Sequence, residues 1–205
     1  TVICCLLNAS TNIFVQDSTD STECFLVVAR EFVAAVDVAT YKVLATLNLL
    51  DIRRVESKST DELVFSSANG SGSFTFELAY VDTVVSHVWG ALVRAFPNAL
   101  ADFLPTFHLH PLSRLDAVKL SLPALDLGLG AACGGFATAY AVICHHRGVP
   151  ADESIPRHFE LLQVNSIVDF DFGELPNVDK RVDAAALAQC LEYNRVRSGT
   201  GFFCG

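Results

Sequence analysis

Strand-length apolar runs fill the first 78 residues of the chain, and turn-forming clusters separate them. Such runs predict β-strands, because β-branched and aromatic side chains fit a pleated, half-buried surface. A further run, Ile13 to Gln16, is ambiguous. The seven predicted strands are Val2 to Leu7, Cys24 to Ala29, Phe32 to Asp37, Tyr41 to Leu47, Leu50 to Val55, Glu62 to Ser67, and Ser73 to Leu78.

The pattern changes at Tyr80, where apolar residues begin to recur at the i, i+3, i+4, i+7 spacing of an amphipathic helix. Pro97 and Asn98 end this helix, which carries the only tryptophan of the chain, Trp89. Seven strands followed by one helix are typical of the pleckstrin-homology fold, a seven-stranded β-barrel with a C-terminal helix. An unrelated small β-barrel with a plug helix is the alternative. We assign residues 1–97 to this domain.

Four prolines interrupt mixed apolar stretches after the helix: Pro97, Pro105, Pro111 and Pro123. We therefore expect residues 98–130 to form a packed linker with short helices. Beyond it, the sequence predicts a helix from Phe136 to Cys144 and another from Lys180 to Tyr193.

Between those two helices the sequence predicts a pair of strands, Phe159 to Val164 and Ile167 to Phe172. The second strand and the final helix match one unit of a leucine-rich repeat. We therefore interpret residues 131–205 as the N-terminal cap and first unit of such a domain, an α/β cap, and the whole chain as α+β. Because one unit cannot bury its own faces, we expect further repeats after Gly205 in a longer parent protein.

Charge and cysteine usage limit the functional classes. The net charge is -9 and the pI about 5.0, which argues against nucleic-acid binding, since phosphate backbones require a basic surface. The seven cysteines are scattered and form no C-x-x-C pair, so we expect reduced thiols and a cytosolic compartment.

Several strings resemble the CARMIL family, whose members regulate actin capping protein and begin with a pleckstrin-homology domain, a linker and a leucine-rich-repeat solenoid. Their order and spacing are similar to the family from about Glu23 to Asn194. The strings are Leu50-Asp51-Ile52, Val84 to Phe96 with Pro97, Cys133-Gly134-Gly135-Phe136 with Tyr140-Ala141, and Leu191-Glu192-Tyr193-Asn194.

The resemblance implies a non-enzymatic cytoskeletal scaffold or adaptor. It implies partners in the actin capping machinery and a location in the cytoplasm, on the cytoskeleton and at the periphery of the plasma membrane. In the family the inhibition of capping protein belongs to a disordered C-terminal region, and nothing in this stretch resembles that region.

An anionic-membrane or phosphoinositide module is the second hypothesis. The family's basic residues near the first strands have no counterpart here, because residues 1–29 contain no Lys or Arg. The remaining candidates for membrane contact are Arg53, Arg54 and Lys58, which a solvated strand end also explains. Each basic residue near an anionic leaflet contributes on the order of 1 kcal/mol.

A cysteine-dependent hydrolase is the third hypothesis. Cys133 lies at a predicted helix start, where the helix dipole lowers a thiol pKa. The bases His145 and His146 lie about 18 Å further along that helix, which leaves His158 or His108 to approach through the fold. The alternative is a structural role for Cys133, as a buried cysteine beside two glycines that permit tight entry into the helix.

The remaining polar pairs predict structure rather than chemistry. Alternating Asp169 and Asp171 resemble a catalytic carboxylate pair, but in a first repeat they would form an exposed concave face where protein partners bind. Neither His108-x-His110 nor His145-His146 supplies the three or four ligands of a metal site, so we predict no metal and no cofactor.

Overall fold

The structure is a computed structural model that describes residues 5–6, 11–15, 22–68, 73–97, 104–121, 135–164 and 183–193. The chain divides into two units, which are described separately. The first comprises Thr1–Ala91 and Leu104–Leu125, and the second comprises Leu92–Phe103 and Asp126–Gly205.

The described strands of the first unit form one mixed sheet in which almost all pairs are antiparallel. In space the order is β5-β4-β3-β2-β8-β7-β6-β9, and β1 pairs with β3. The strands are β1 (Cys5–Leu6), β2 (Thr11–Val15), β3 (Thr22–Val28), β4 (Phe32–Asp37), β5 (Val43–Asn48), β6 (Ile52–Ser57), β7 (Glu62–Ser67), β8 (Ser73–Glu77) and β9 (Thr106–Leu109).

The predicted succession of strands followed by one amphipathic helix is confirmed, and the chain has the expected α+β composition. Strands β4 and β7 have the predicted bounds, and the helix α1 spans Val81–Ala95. The ambiguous run at Ile13 contributes to β2. The pairings of the described residues leave the sheet open, with β5 at one end and β9, paired to β6, at the other, so a closed seven-stranded barrel is not shown.

Helix α1 buries one apolar stripe. Val84, Val85 and Val88 are 0% exposed and Val81 is 1% exposed, whereas Asp82, beside this stripe, is exposed to solvent. This is the period of an amphipathic helix that covers a core, and these residues belong to the same unit as the sheet. Complete burial of each such side chain favours folding by about 1.5 to 3 kcal/mol.

Residues 104–121 add to the first unit. Strand β9 runs parallel to β6, and helix α2 (Ser113–Ser121) follows it. A short helix was expected within the segment 98–130, whereas the strand was not. A four-residue strand that pairs with a distant part of the chain carries no local signature. The three predicted domain boundaries stay predictions.

In the second unit the described residues form three helices: α3 (Phe136–Arg147), α4 (Ser154–Val164) and α5 (Ala184–Tyr193). The helix predicted from Phe136 to Cys144 is confirmed and extends to Arg147. The Phe136 ring stacks on Phe159 with a centroid distance of 3.7 Å, which joins α3 to α4. Tyr140 and Ile143 are 0% exposed, so α3 is the central helix of this core.

The strand predicted from Phe159 to Val164 is wrong, because these residues form the second half of α4. A carboxylate oxygen of Asp152 accepts hydrogen bonds from the Ser154 backbone N–H at 2.9 Å and from its hydroxyl at 2.6 Å. This bonding at the N-terminus favours helix entry. Ile155 and Phe159, four residues apart, are both buried, which is the helical period. The partner strand, Ile167 to Phe172, lies outside the described residues.

Asp183 fixes the start of α5. Its carboxylate accepts hydrogen bonds from the backbone N–H groups of Ala185 at 2.9 Å and Ala186 at 3.2 Å, as an N-cap does. The other carboxylate oxygen accepts from Arg147 Nε at 2.8 Å. These hydrogen bonds lower the pKa of Asp183, and the bond from Arg147 has the largest effect. Asp183 therefore stabilises the unit above its ordinary pKa of 3.8, and this contribution is lost as pH falls through the depressed value.

Gly135 lies where α3 begins, in a left-handed conformation with φ of 81°. A Cβ at this position would meet Pro97 Cδ at 2.6 Å and the carbonyl oxygen of Arg94 at 2.8 Å. Only glycine satisfies both the backbone angle and this close approach. The tight helix entry predicted for the Gly-Gly pair is confirmed at Gly135, and Gly134 lies outside the described residues.

Substitution Gly135→Ala should lower the free energy of unfolding by about 3 kcal/mol, since it combines left-handed backbone strain with a clash. The matched control is Gly148→Ala, which has φ of 66° but meets nothing within 4 Å. It should cost about 1 kcal/mol through backbone strain alone. Urea unfolding followed by far-UV circular dichroism compares the two. Equal costs would contradict the close approach at Gly135.

Candidate functional site

A β-bulge presents Arg53 and Arg54 together near the start of β6. Ile52 pairs with Ser67 on β7, and the next paired residue of β6 is Arg54, so Arg53 is an extra residue. Such an insertion interrupts the alternation of a strand. The buried residues Ile52 and Val55 are accordingly three apart, and both intervening arginines are exposed.

The three predicted membrane-contact residues do not converge. Lys58 follows the end of β6, about 13 Å along the strand from Arg54 at 3.3 Å per residue. Arg54 Nη1 lies 3.1 Å from Glu56 Oε1 in an exposed ion pair. Exposed pairs of this kind contribute little stability, but the carboxylate offsets the charge of the arginine. Membrane contact through these residues stays a prediction.

Strand β9 covers the edge of β6 next to this bulge. Arg54 is opposite Thr106 and Glu56 is opposite His108. The Thr106 hydroxyl donates to the carbonyl oxygen of Arg53 at 3.4 Å. His108 and His110 are both exposed. Among the described residues no group of three His, Cys, Asp or Glu side chains could hold a metal ion.

Arg114, on α2, joins three segments of the first unit. Its side chain is only 11% exposed. Nε donates to Asp82 Oδ1 at 3.1 Å, at the start of α1. Nη1 donates to Ser57 Oγ at 3.2 Å, to the Ser59 carbonyl at 3.1 Å and to the His110 carbonyl at 2.8 Å. The planar guanidinium suits such multiple bonding, which an ammonium group cannot reproduce.

Trp89 provides a second attachment for the same segment. Phe107 of β9 meets the Trp89 ring edge to face, with centroids 5.1 Å apart. Lys119 Nζ of α2 lies 4.7 Å from the Trp89 ring centroid, a cation–π contact. Neither Arg114 nor Lys119 was identified from the sequence, because a charged residue on a short helix indicates only a solvated face.

A cavity lies between the inner faces of the two halves of the sheet. Phe65, Phe74 and Phe76 line one side, and small residues of β4 and β5 line the other. Among the described lining residues Thr46 is the only polar one, and none is an acid or a base.

The described residues contain only part of the proposed cysteine site. Cys133 lies outside them, and His145 and His146 are exposed in the last turn of α3. The described thiols of Cys24, Cys144 and Cys190 are all buried. Burial raises the pKa of Cys24 to about 11 and also raises the pKa values of Cys144 and Cys190, which keeps these thiols protonated.

The proposed protein-interaction residues Asp169 and Asp171 also lie outside the described residues. Their assignment to an exposed concave face therefore stays a prediction.

The chain matches no family model and no curated protein. Among solved structures, the Vav1 exchange factor with its PH and C1 domains is 10% identical over 43% of this chain, with a TM-score of 0.37. An activated truncation of Vav1 is 9% identical over the same share, with a TM-score of 0.39. The FERM and C-terminal domain complex of Drosophila Merlin is 14% identical over 42%, with a TM-score of 0.33.

These matches span only a minor part of the other proteins, between 26% and 29% of the three chains. At these TM-scores the likeness carries no argument about function. The assignment of a fold rests on the strand order and the helix described above.

The buried thiols should resist alkylation. A pKa raised from 9.0 to about 11 lowers the thiolate fraction of Cys24 at neutral pH by about 100-fold, and burial blocks access as well. Iodoacetamide labelling of the native protein, read by mass spectrometry, should leave Cys24, Cys144 and Cys190 unmodified.

The same labelling in denaturant is the control, in which all the cysteines should react. We also expect Cys133 to be slow in the native protein. Rapid, selective labelling of Cys133 would instead support the hydrolase hypothesis.

Proposed function

We propose that this chain is a non-enzymatic adaptor: a pleckstrin-homology-like domain followed by the beginning of a leucine-rich-repeat domain. The observation that carries the proposal is the strand order β5-β4-β3-β2-β8-β7-β6, completed by the amphipathic helix α1. Seven consecutive strands in this order, with a helix after the last, are the arrangement of a pleckstrin-homology domain.

The distribution of polar groups supports an adaptor. The inner cavity of the sheet is lined almost entirely by apolar groups, and the described thiols are buried and protonated. The charged groups lie on the exposed edges and helix faces instead. Among the described residues, no helix has the length and apolar character needed to cross a membrane.

The resemblance to the CARMIL family supports the finer part of the proposal. On this basis the second unit is the N-terminal cap of a solenoid. The partners belong to the actin capping machinery, and the protein works on the cytoskeleton in the cytoplasm and at the periphery of the plasma membrane. By this resemblance the chain would localise and scaffold, and nothing in it resembles the family's region that inhibits capping protein.

Binding to an anionic membrane is the second candidate function. The bulge in β6 favours it, because it exposes Arg53 and Arg54 side by side. Two basic residues near an anionic leaflet contribute about 2 kcal/mol, which gives weak binding at physiological salt. The net charge of -9 opposes binding to an anionic membrane.

Liposome co-sedimentation distinguishes the two functions. With vesicles of neutral lipid and vesicles containing phosphatidylserine, the adaptor proposal predicts equally low sedimentation at physiological salt. The test variant is Arg53→Gln with Arg54→Gln. The matched control is Arg157→Gln, which neutralises an exposed arginine of α4.

Salt-sensitive binding to the anionic vesicles that Arg53→Gln/Arg54→Gln abolishes, and that Arg157→Gln retains, would contradict the adaptor proposal and establish the membrane function.

A further inference from the structure

The edge of β6 beside α1 accepts an extended segment, which in this structure is β9 of the same chain. We infer that this groove, formed by β6 and the Trp89 face of α1, is a strand-addition site for an extended peptide with phenylalanine two residues before leucine. The chain closes the site with its own residues 104–121, called the strap below. The inference rests on the proposed adaptor function and names the class of partner it would bind.

Backbone hydrogen bonding supplies the first part of the recognition. Residues Thr106 to Leu109 lie parallel to Arg54 to Ser57, residue by residue. The His110 N–H donates to the Ser57 carbonyl at 2.9 Å and continues the pairing beyond the strand. Edge pairing of this kind is independent of side chains, so a segment of another sequence can make it.

Alternating side chains supply the specificity. Leu109 is 1% exposed, and Phe107 packs on the Trp89 ring with centroids 5.1 Å apart. Thr106 and His108 point the other way and are exposed. In strand addition, the protein recognises every second side chain of the added peptide. The groove therefore selects the Phe-x-Leu pattern and leaves the intervening residue free.

The strap is fastened by a few buried apolar side chains and by the polar contacts of Arg114 and Lys119. Arg114 holds it to Asp82, whose side chain is 53% exposed, and Lys119 lies over Trp89. Apart from Leu109, the buried side chains of residues 104–119 are Pro105 and Val118. Ion pairs in contact with water contribute little, and parallel pairing is slightly weaker than antiparallel pairing.

Binding of a partner requires the strap to leave the groove while the rest of the unit stays folded. Segments with few buried apolar contacts open without global unfolding. When the strap opens, β6 exposes unpaired backbone groups and α1 exposes Trp89. A partner segment with the same pattern then competes for the groove with the strap.

A strap-release variant of the full chain tests this competition. Phe107→Ser with Leu109→Ser removes both strap anchors and leaves β6, Trp89 and α1 unchanged. The probe is a fluorescent peptide of residues 104–110, Leu-Pro-Thr-Phe-His-Leu-His. Its anisotropy should show saturable binding to the variant at least roughly tenfold tighter than to the wild-type chain.

Two controls accompany the binding measurement. A peptide with both anchors replaced by serine should not bind the variant. Circular dichroism should show the variant folded. A folded variant that does not bind the wild-type peptide, or that binds both peptides equally, would overturn the inference.

Hydrogen exchange on the wild-type chain gives an independent answer if the variant does not fold. Amides of residues 106–110 should exchange roughly tenfold or more faster than those of the central strand β7, because the strap opens by itself. Equal protection would mean that the strap opens only with the whole unit, and would refute the site. Neither the peptide-binding measurement nor the hydrogen-exchange measurement uses lipid. A failure of this inference is therefore distinguishable from a failure of the adaptor proposal, which the liposome test reports.

Discussion

Burial of the apolar stripe of α1 is the interaction on which the first unit depends. Val84, Val85 and Val88 are completely buried, in the same unit as the sheet. The inner face of an open sheet of this size stays in contact with water unless another element covers it. Helix α1 is the longer of the two described helices that begin in this unit. Its burial also fixes the flank of the helix that carries Asp82 and Trp89, seven residues apart, to which Arg114 and Lys119 of the strap attach.

This arrangement gives the sheet two different edges. At one edge β9 pairs with β6 and is held by Arg114, so the backbone groups there are satisfied in cis. At the other edge is β5, with Val43 and Leu44 exposed. An edge strand is a template for another strand, and covering it with a segment of the same chain is one way to control that pairing. The proposed adaptor function and the proposed groove are consistent with each other, because both would act through the edge of the sheet.

Periodic patterns explain what the sequence could predict. Strands β4 and β7 and helix α1 have strong period-2 or period-3.6 signals with turn residues at their ends, and their predicted positions are right. Strand β9 depends on pairing with residues some fifty positions earlier, which no local pattern records. Helix α4 was predicted as a strand in part, because a short apolar run fits both periods and the Asp152 cap lies outside that run. The exposure of Arg53 and Arg54 was anticipated, but the bulge that exposes both was not.

A matched pair of valine truncations tests the role of α1 most directly. Val84 is 0% exposed, whereas Val93, near the end of the same helix and within the second unit, is partly exposed. Both substitutions to alanine change helix propensity equally, so the difference reports burial. In urea unfolding followed by Trp89 fluorescence, Val84→Ala should lower the free energy of unfolding by about 2 kcal/mol and Val93→Ala by less than half as much. Equal costs for the two truncations would contradict the view that the buried stripe of α1 holds the unit together.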